Sequence, residues 1–136
     1  MTWTELTSET HAAVAGVLRA RLADADFVGL ADAFEPDLDA LAMLPAGVFR
    51  WPDPATVTGV FEEWFGDVDE YRLTEFASSG LGGRLHAGWR IVVAGGGFGA
   101  DRHVVEQQIY ADPGRTGRIA SMRLLCSGFI RERGHG

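Results

Sequence analysis

At Tyr71 the spacing of apolar residues changes from about four to two, and this constrains the fold more than any other feature of the chain. Before it, apolar residues recur at helical spacing; after it they alternate, as on strands with one buried face. Helices first and a sheet afterwards is the α+β pattern, with helices packed against one sheet face. The expectation is one α+β domain over residues 1–136, a length that fits the usual domain of about 100–200 residues.

In the helical half, Thr7 is placed to cap a first helix, with Glu9 in the first turn favouring the positive end of the dipole. His11, Val14, Leu18 and Leu22 then share one face. Asp26 is placed to cap a short second helix whose apolar face is Phe27, Leu30, Ala31 and Phe34, with Pro36 stopping it. Leu38–Trp51 reads as extended, with a turn at Leu44-Pro45-Ala46-Gly47. The third helix is the clearest. Asp53 caps it, Pro54 suits the first position, Val57, Val60, Phe61, Trp64 and Phe65 form its stripe, and Gly66 ends it.

The second half reads as four strands, Tyr71–Ala77, Arg84–Ala94, His103–Ala111 and Arg118–Phe129, joined by turns into an antiparallel meander. Gly95-Gly96-Gly97-Phe98-Gly99 follows a strand but lacks the Lys-Ser/Thr of a phosphate loop, and a strand follows it instead of a helix; it reads as a hairpin turn.

Composition narrows the function. A net charge of −7 with no Lys argues against a nucleic-acid surface, which needs clustered cations to displace phosphate counterions. Cys126 is the only cysteine, which excludes an internal disulfide and a cysteine-based zinc site. No His–carboxylate cluster has metal-ligand spacing, so neither metal nor cofactor is expected. Met1–Glu9 shows no basic segment followed by an apolar run, and no apolar stretch approaches about 18 residues. Neither signal peptide nor membrane partner is expected, and a cytoplasmic location is the default.

Three segments carry a family resemblance: Asp26-Phe27-Val28-Gly29-Leu30, Asp53-Pro54 opening the third helix, and Gly117-Arg118-Ile119-Ala120-Ser121-Met122 on the last strand. With the order of elements, they resemble the nuclear transport factor 2-like superfamily, which includes ketosteroid isomerases, SnoaL-like polyketide cyclases and small epoxide hydrolases. The resemblance implies a cone: a curved antiparallel sheet wrapped around three N-terminal helices, enclosing an apolar pocket. It implies that Met122, Leu124 and Cys126 face the pocket, joined by His103, Val105, Gln107 and Ile109, while alternation adds Leu85, Ala87, Trp89 and Ile91. The isomerase chemistry does not carry over. Its base falls on Ala42, its tyrosine acid on Leu18 and its protonated aspartate on Gln107.

The candidate catalytic residues are His103, as base or acid, and Gln107, as hydrogen-bond donor to an enol-like intermediate. The bland alternative places His103 in solvent at a strand end and Gln107 on backbone groups. Candidate ligand-binding residues are Trp51, Trp89, Val105, Ile109, Met122, Leu124 and Cys126. Cys126 has no cationic neighbour on its face to activate it, and packing explains it as well as catalysis does. His86, Arg90, Glu106, Gln108, Tyr110 and Arg123 have the opposite parity, which makes a polar convex face suited to homodimerisation. A one-residue slip would send Glu106 inward. Two functions follow. One is a cofactor-free enzyme moving protons on a small, largely apolar metabolite (isomerase, cyclase or hydratase). The other is a non-catalytic binding or dimeric assembly domain of the same fold.

Overall fold

The computed structural model describes residues 3–132, with side chains from Glu9 onward. Helix α1 (Trp3–Ala23) starts earlier than the expected cap, so Thr7 lies inside it. The expected second helix is a single 3-10 turn, Gly29–Ala33. Asp26 Oδ1 accepts from Gly29 N at 2.9 Å and opens that turn. It ends before Pro36 because Phe34 is already extended (φ −119°, ψ 145°). Phe27, Leu30 and Phe34 are buried, as the pattern requires, so a helical stripe this short fixes the face without fixing the helix type.

The extended segment is a hairpin of β1 (Phe34–Leu44) and β2 (Gly47–Trp51), turning at Gly47, whose φ of +141° suits glycine. Helix α2 (Pro54–Phe65) follows, and Asp53 Oδ1 accepts from Thr56 N at 2.7 Å and Thr56 Oγ1 at 2.8 Å. Those hydrogen bonds favour the carboxylate and hold Asp53 below its ordinary pKa. The sheet half comprises β3 (Glu70–Leu81), β4 (Arg84–Ala94), β5 (His103–Pro113), β6 (Ile119–Cys126) and β7 (Ile130–Arg131). At the β4–β5 turn a Cβ on Gly95 (φ +88°) would strike the Asp69 carboxyl at 2.2 Å, so glycine is required there.

The strands run in the order β2-β1-β6-β5-β4-β3, with β7 continuing along β5. The meander β3–β6 is antiparallel throughout. One pairing departs from the expected antiparallel sheet: β1 lies parallel to β6. Hairpin partners are forced to be antiparallel by their turn, whereas β1 and β6 are far apart in sequence and no turn fixes their direction. The sheet is curved and unclosed, and α1, the 3-10 turn and α2 fill its concave side with one core that includes Leu18, Leu22, Phe27, Val57, Phe61 and Phe65. No helix among the described residues is long and apolar enough to cross a membrane.

Candidate functional site

The alternation of β3–β6 places one row of side chains across the concave face. Phe76 pairs with Trp89, Trp89 with Gln107, and Gln107 with Cys126. The row is hydrogen-bonded along its length. Trp89 Nε1 donates to Gln107 Oε1 at 2.8 Å, and Gln107 Nε2 donates to Cys126 Sγ at 3.5 Å. Gly128 N also donates to that sulfur at 3.5 Å. Phe76 stacks on Trp89 with ring centroids 6.0 Å apart and planes 5° from parallel. A buried glutamine must find partners or lose several kcal/mol of solvation, about 2–7 depending on reference state, and here both amide ends are used.

The expected register is the one observed. Trp89, Val105, Gln107, Ile109, Met122 and Leu124 are buried, and Glu106 is exposed on the opposite face. Among the described residues the buried polar side chains are His11 and Gln107, so no carboxylate enters the core. His11 serves the fold: its Nε2–H donates to the Gly83 carbonyl at 3.1 Å, tying α1 to the β3–β4 hairpin. Tyr71 likewise donates its hydroxyl to the Leu22 carbonyl at 2.7 Å, and burial pushes its pKa up.

The space these residues enclose is small. Between α1, α2 and the sheet lies an apolar void of about 10 Å³, lined by Leu18, Leu22, Val57, Phe61, Trp89 and Met122 among others. That is at most the room of one water, and an apolar void of this kind stays dry. Ligand sites usually offer about 300–1,000 Å³. The expected apolar interior is therefore present in character and filled with side chains in volume. Of the seven candidate ligand-binding residues, Trp89, Ile109, Met122 and Leu124 line the void; Val105, Trp51 and Cys126 do not. Trp51 packs instead on Trp64, ring centroids 6.0 Å apart.

The two candidate catalytic residues are separated by the structure. Gln107 sits mid-strand in the core, 1% exposed. His103 is the first residue of β5, half-buried at the sheet's end, with Nδ1 donating to the Asp101 carbonyl at 3.1 Å. Its ring packs on Phe98 at 5.2 Å, and Phe98 packs on Phe129 at 4.7 Å. The Nδ1 bond leaves Nε2 as the basic nitrogen, at the rim and outside the void. Phe76 was missing from the sequence reading. Its partnership with Trp89 was available, because a hairpin turning at Gly82-Gly83 sets the two opposite each other.

On the convex side the adjacent row is ionic. Arg90 pairs with Glu106 and, at 3.3 Å, with Glu75. His86 meets Gln108 at 3.1 Å and packs at a tilt on Tyr110, ring centroids 4.9 Å apart, while Arg84 clasps Asp112 through two bonds of 2.9 and 3.0 Å.

The same architecture recurs in solved structures. The chain superposes on a proposed polyketide cyclase from Xanthomonas campestris pv. campestris with a TM-score of 0.69 at 11% identity, covering 88% of this chain and 91% of that one. A nuclear transport factor 2-like protein from Burkholderia xenovorans LB400 gives 0.61 at 13% identity, with 88% and 90% covered. The fold is nuclear transport factor 2-like. A proposed isomerase from Rhodopseudomonas palustris shares this nuclear transport factor 2-like fold at a TM-score of 0.56 and 18% identity, covering 82% of this chain and 84% of that one. No protein-family model matches the sequence, and no curated protein matches it.

Proposed function

We propose that this nuclear transport factor 2-like domain binds a small, largely apolar metabolite between its helices and the concave face. The observation that carries this is the Trp89–Gln107 pair, one polar contact at the centre of an otherwise apolar wall. Few polar groups on an apolar surface give a ligand orientation without a large desolvation cost. Binding requires side chains to move, since the void is about 10 Å³. The test is a thermal-shift and native mass-spectrometry screen against apolar compounds of metabolite size. Saturable stabilisation by any of them supports the reading. A panel in which none shifts the transition, with the protein folded, rejects it.

Catalysis at the same site is the second reading: proton transfer of the isomerase, cyclase or hydratase type, without a cofactor. It is favoured by the solved structures of this fold that are described as a proposed cyclase and a proposed isomerase. It needs a base, and His103 Nε2 at the rim is the candidate, with Gln107, four residues along β5, as a donor to a more distant part of the ligand. Incubating bound carbonyl compounds in D₂O and following α-hydrogen exchange by NMR tests it without a known substrate. Exchange lost in His103→Gln supports the enzyme; exchange no faster than buffer leaves a binding domain.

The convex face, with Tyr110 and Arg123 half-buried between paired charges, suits a homodimer. Sedimentation should then show a dimer at tens of micromolar that Tyr110→Asp dissociates.

A further inference from the structure

The two edges of the unclosed sheet differ. β2 forms one edge, is five residues long and carries Arg50, whereas β3 forms the other and is twelve residues long. Short length and charge are common guards of an edge strand against pairing with another chain. Over 77–81 β3 has neither guard. Ala77, Ser78, Ser79, Gly80 and Leu81 carry no charge and are all exposed, and the irregularity near Thr74 lies before them. The Gly82-Gly83 turn closes on the pair Leu81 and Arg84. Ser79 and Ala77 therefore turn their backbone groups to β4, while Gly80, Ser78 and Phe76 turn theirs outward.

Beside this edge lies an open hollow of about 830 Å³, bordered on the convex face by Glu75, Ala77, Ser79, His86, Gly88 and Arg90. Packing does not demand its glycine floor: a Cβ on Gly88 would meet Gln108 Cγ at 3.5 Å and the Gln107 carbonyl at 3.7 Å, both ordinary contacts. On its wall Glu75 and Glu106 share Arg90, two carboxylates to one guanidinium, with Glu75 the looser partner at 3.3 Å. Glu75 thus keeps open acceptor positions.

We propose that residues 76–80 of β3 take an extended basic peptide of another protein as an added strand, its Lys or Arg entering the hollow to pair with Glu75. Main-chain hydrogen bonds supply the affinity of such a site, and a pocket beside the edge supplies its selectivity. Arg19 borders the hollow from α1, on the concave side, so the pleat of an added strand turns its Lys toward Glu75 and away from Arg19. A second copy of this chain is the poorer occupant. Paired two-fold about Ser78 it would lay Ala77 and Ser79 over the hollow, and these are too short to fill it. Each copy also carries a net charge of −7, which repels a copy and draws a basic peptide.

The probe is the heptapeptide acetyl-Thr-Val-Thr-Lys-Thr-Val-Thr-amide, titrated into the intact protein and followed by amide NMR and hydrogen exchange. It should bind saturably and slow exchange at Ser78 and Gly80. Replacing its Lys by Glu should weaken binding about tenfold or more. N-methylating the alternate amides along one edge of the peptide should do the same, and along the other edge should not. Ser78→Pro removes an outward donor from β3, and proline is tolerated on an edge strand where that N–H faces solvent. The fold should persist while binding falls about tenfold or more. Undiminished binding in Ser78→Pro, equal binding of the Lys and Glu peptides, or no binding at millimolar peptide overturns the proposal. Self-association of the wild-type protein that Ser78→Pro abolishes, with no peptide bound, assigns the edge to a second copy and overturns it as well. Should Ser78→Pro not fold, the two N-methylated peptides decide on the wild-type protein: equal binding of both overturns the proposal.

Discussion

Two adjacent rows of the same four strands meet opposite surroundings. On the concave side Phe76, Trp89, Gln107 and Cys126 form a row within or against the core; one position along the chain, before or after, Glu75, Arg90, Glu106 and, just past β6, Ser127 form a row on the solvent side. Both rows are polar-linked, through Trp89–Gln107 on one side and Arg90–Glu106 on the other. What differs is the medium. In water an ion pair exchanges good solvation for modest attraction and contributes little. In the core a neutral hydrogen bond has no solvent to fall back on, so the weaker contact is the one the fold cannot lose. Strength of interaction and contribution to stability are thus inverted between the two faces.

Trp89→Ala should give the largest effect, since it empties a site that is 5% exposed and removes the stacking partner of Phe76. Loss of a buried aromatic costs about 3–5 kcal/mol, and a midpoint shift in urea unfolding at unchanged slope would measure it. A loss under about 1 kcal/mol would mean the concave row is not packed as described. Gln107→Leu should follow at about 1–3 kcal/mol, because the indole N–H is then buried without an acceptor. Trp89→Phe with Gln107→Leu should cost less than the two singles added, since both polar partners are removed together. Additive costs would deny the hydrogen bond an energetic role.

Asp53 lies outside both rows and tests the helical half that covers the concave one. Its pKa is lowered by the bonds from Thr56, so the folded protein binds its proton less readily than the unfolded chain. That contribution is fully present above the ordinary carboxylate range of about 4 and is lost as pH falls through the lower folded value. Asp53→Ala should lower Tm at pH 7, and the gap to wild type should close in strong acid. A gap independent of pH would assign the effect to packing. Glu106→Gln on the convex row should move Tm little, and 1 M salt should erase the difference.

The faces were legible because alternation is local. Once Trp89 is inward, Gln107 and Cys126 follow from antiparallel neighbours, and Glu106 is sent out. The cap at Asp53-Pro54 was legible for the same reason, since four residues, Asp53 to Thr56, contain the whole interaction. The parallel pairing of β1 with β6 was not, because no short-range signal links strands so distant in sequence. The volume of the interior was not legible either. The sequence shows that Leu18, Phe61, Met122 and Trp89 face one another; only their packing in space shows that about 10 Å³ is left. His103 shows the limit of alternation. Parity marks it as inward, but as the first residue of β5 it lies beyond the core that parity refers to.

His103→Gln should therefore have the smallest effect on stability and the most consequence for function. A half-buried residue at a strand end, bonded to the Asp101 carbonyl and touching Phe98, gives up about 0.5 kcal/mol or less when replaced by another polar side chain. A general base loses about 10²–10⁴-fold in rate when removed, whatever happens to stability. The two quantities separate the readings within one variant. Unchanged unfolding with α-hydrogen exchange abolished in bound carbonyl compounds would make the rim histidine catalytic and the domain an enzyme. Unchanged unfolding with unchanged exchange would leave His103 as part of the β5 end. The polar side of ligand recognition would then fall to Gln107, the one polar residue that the concave row places wholly inside.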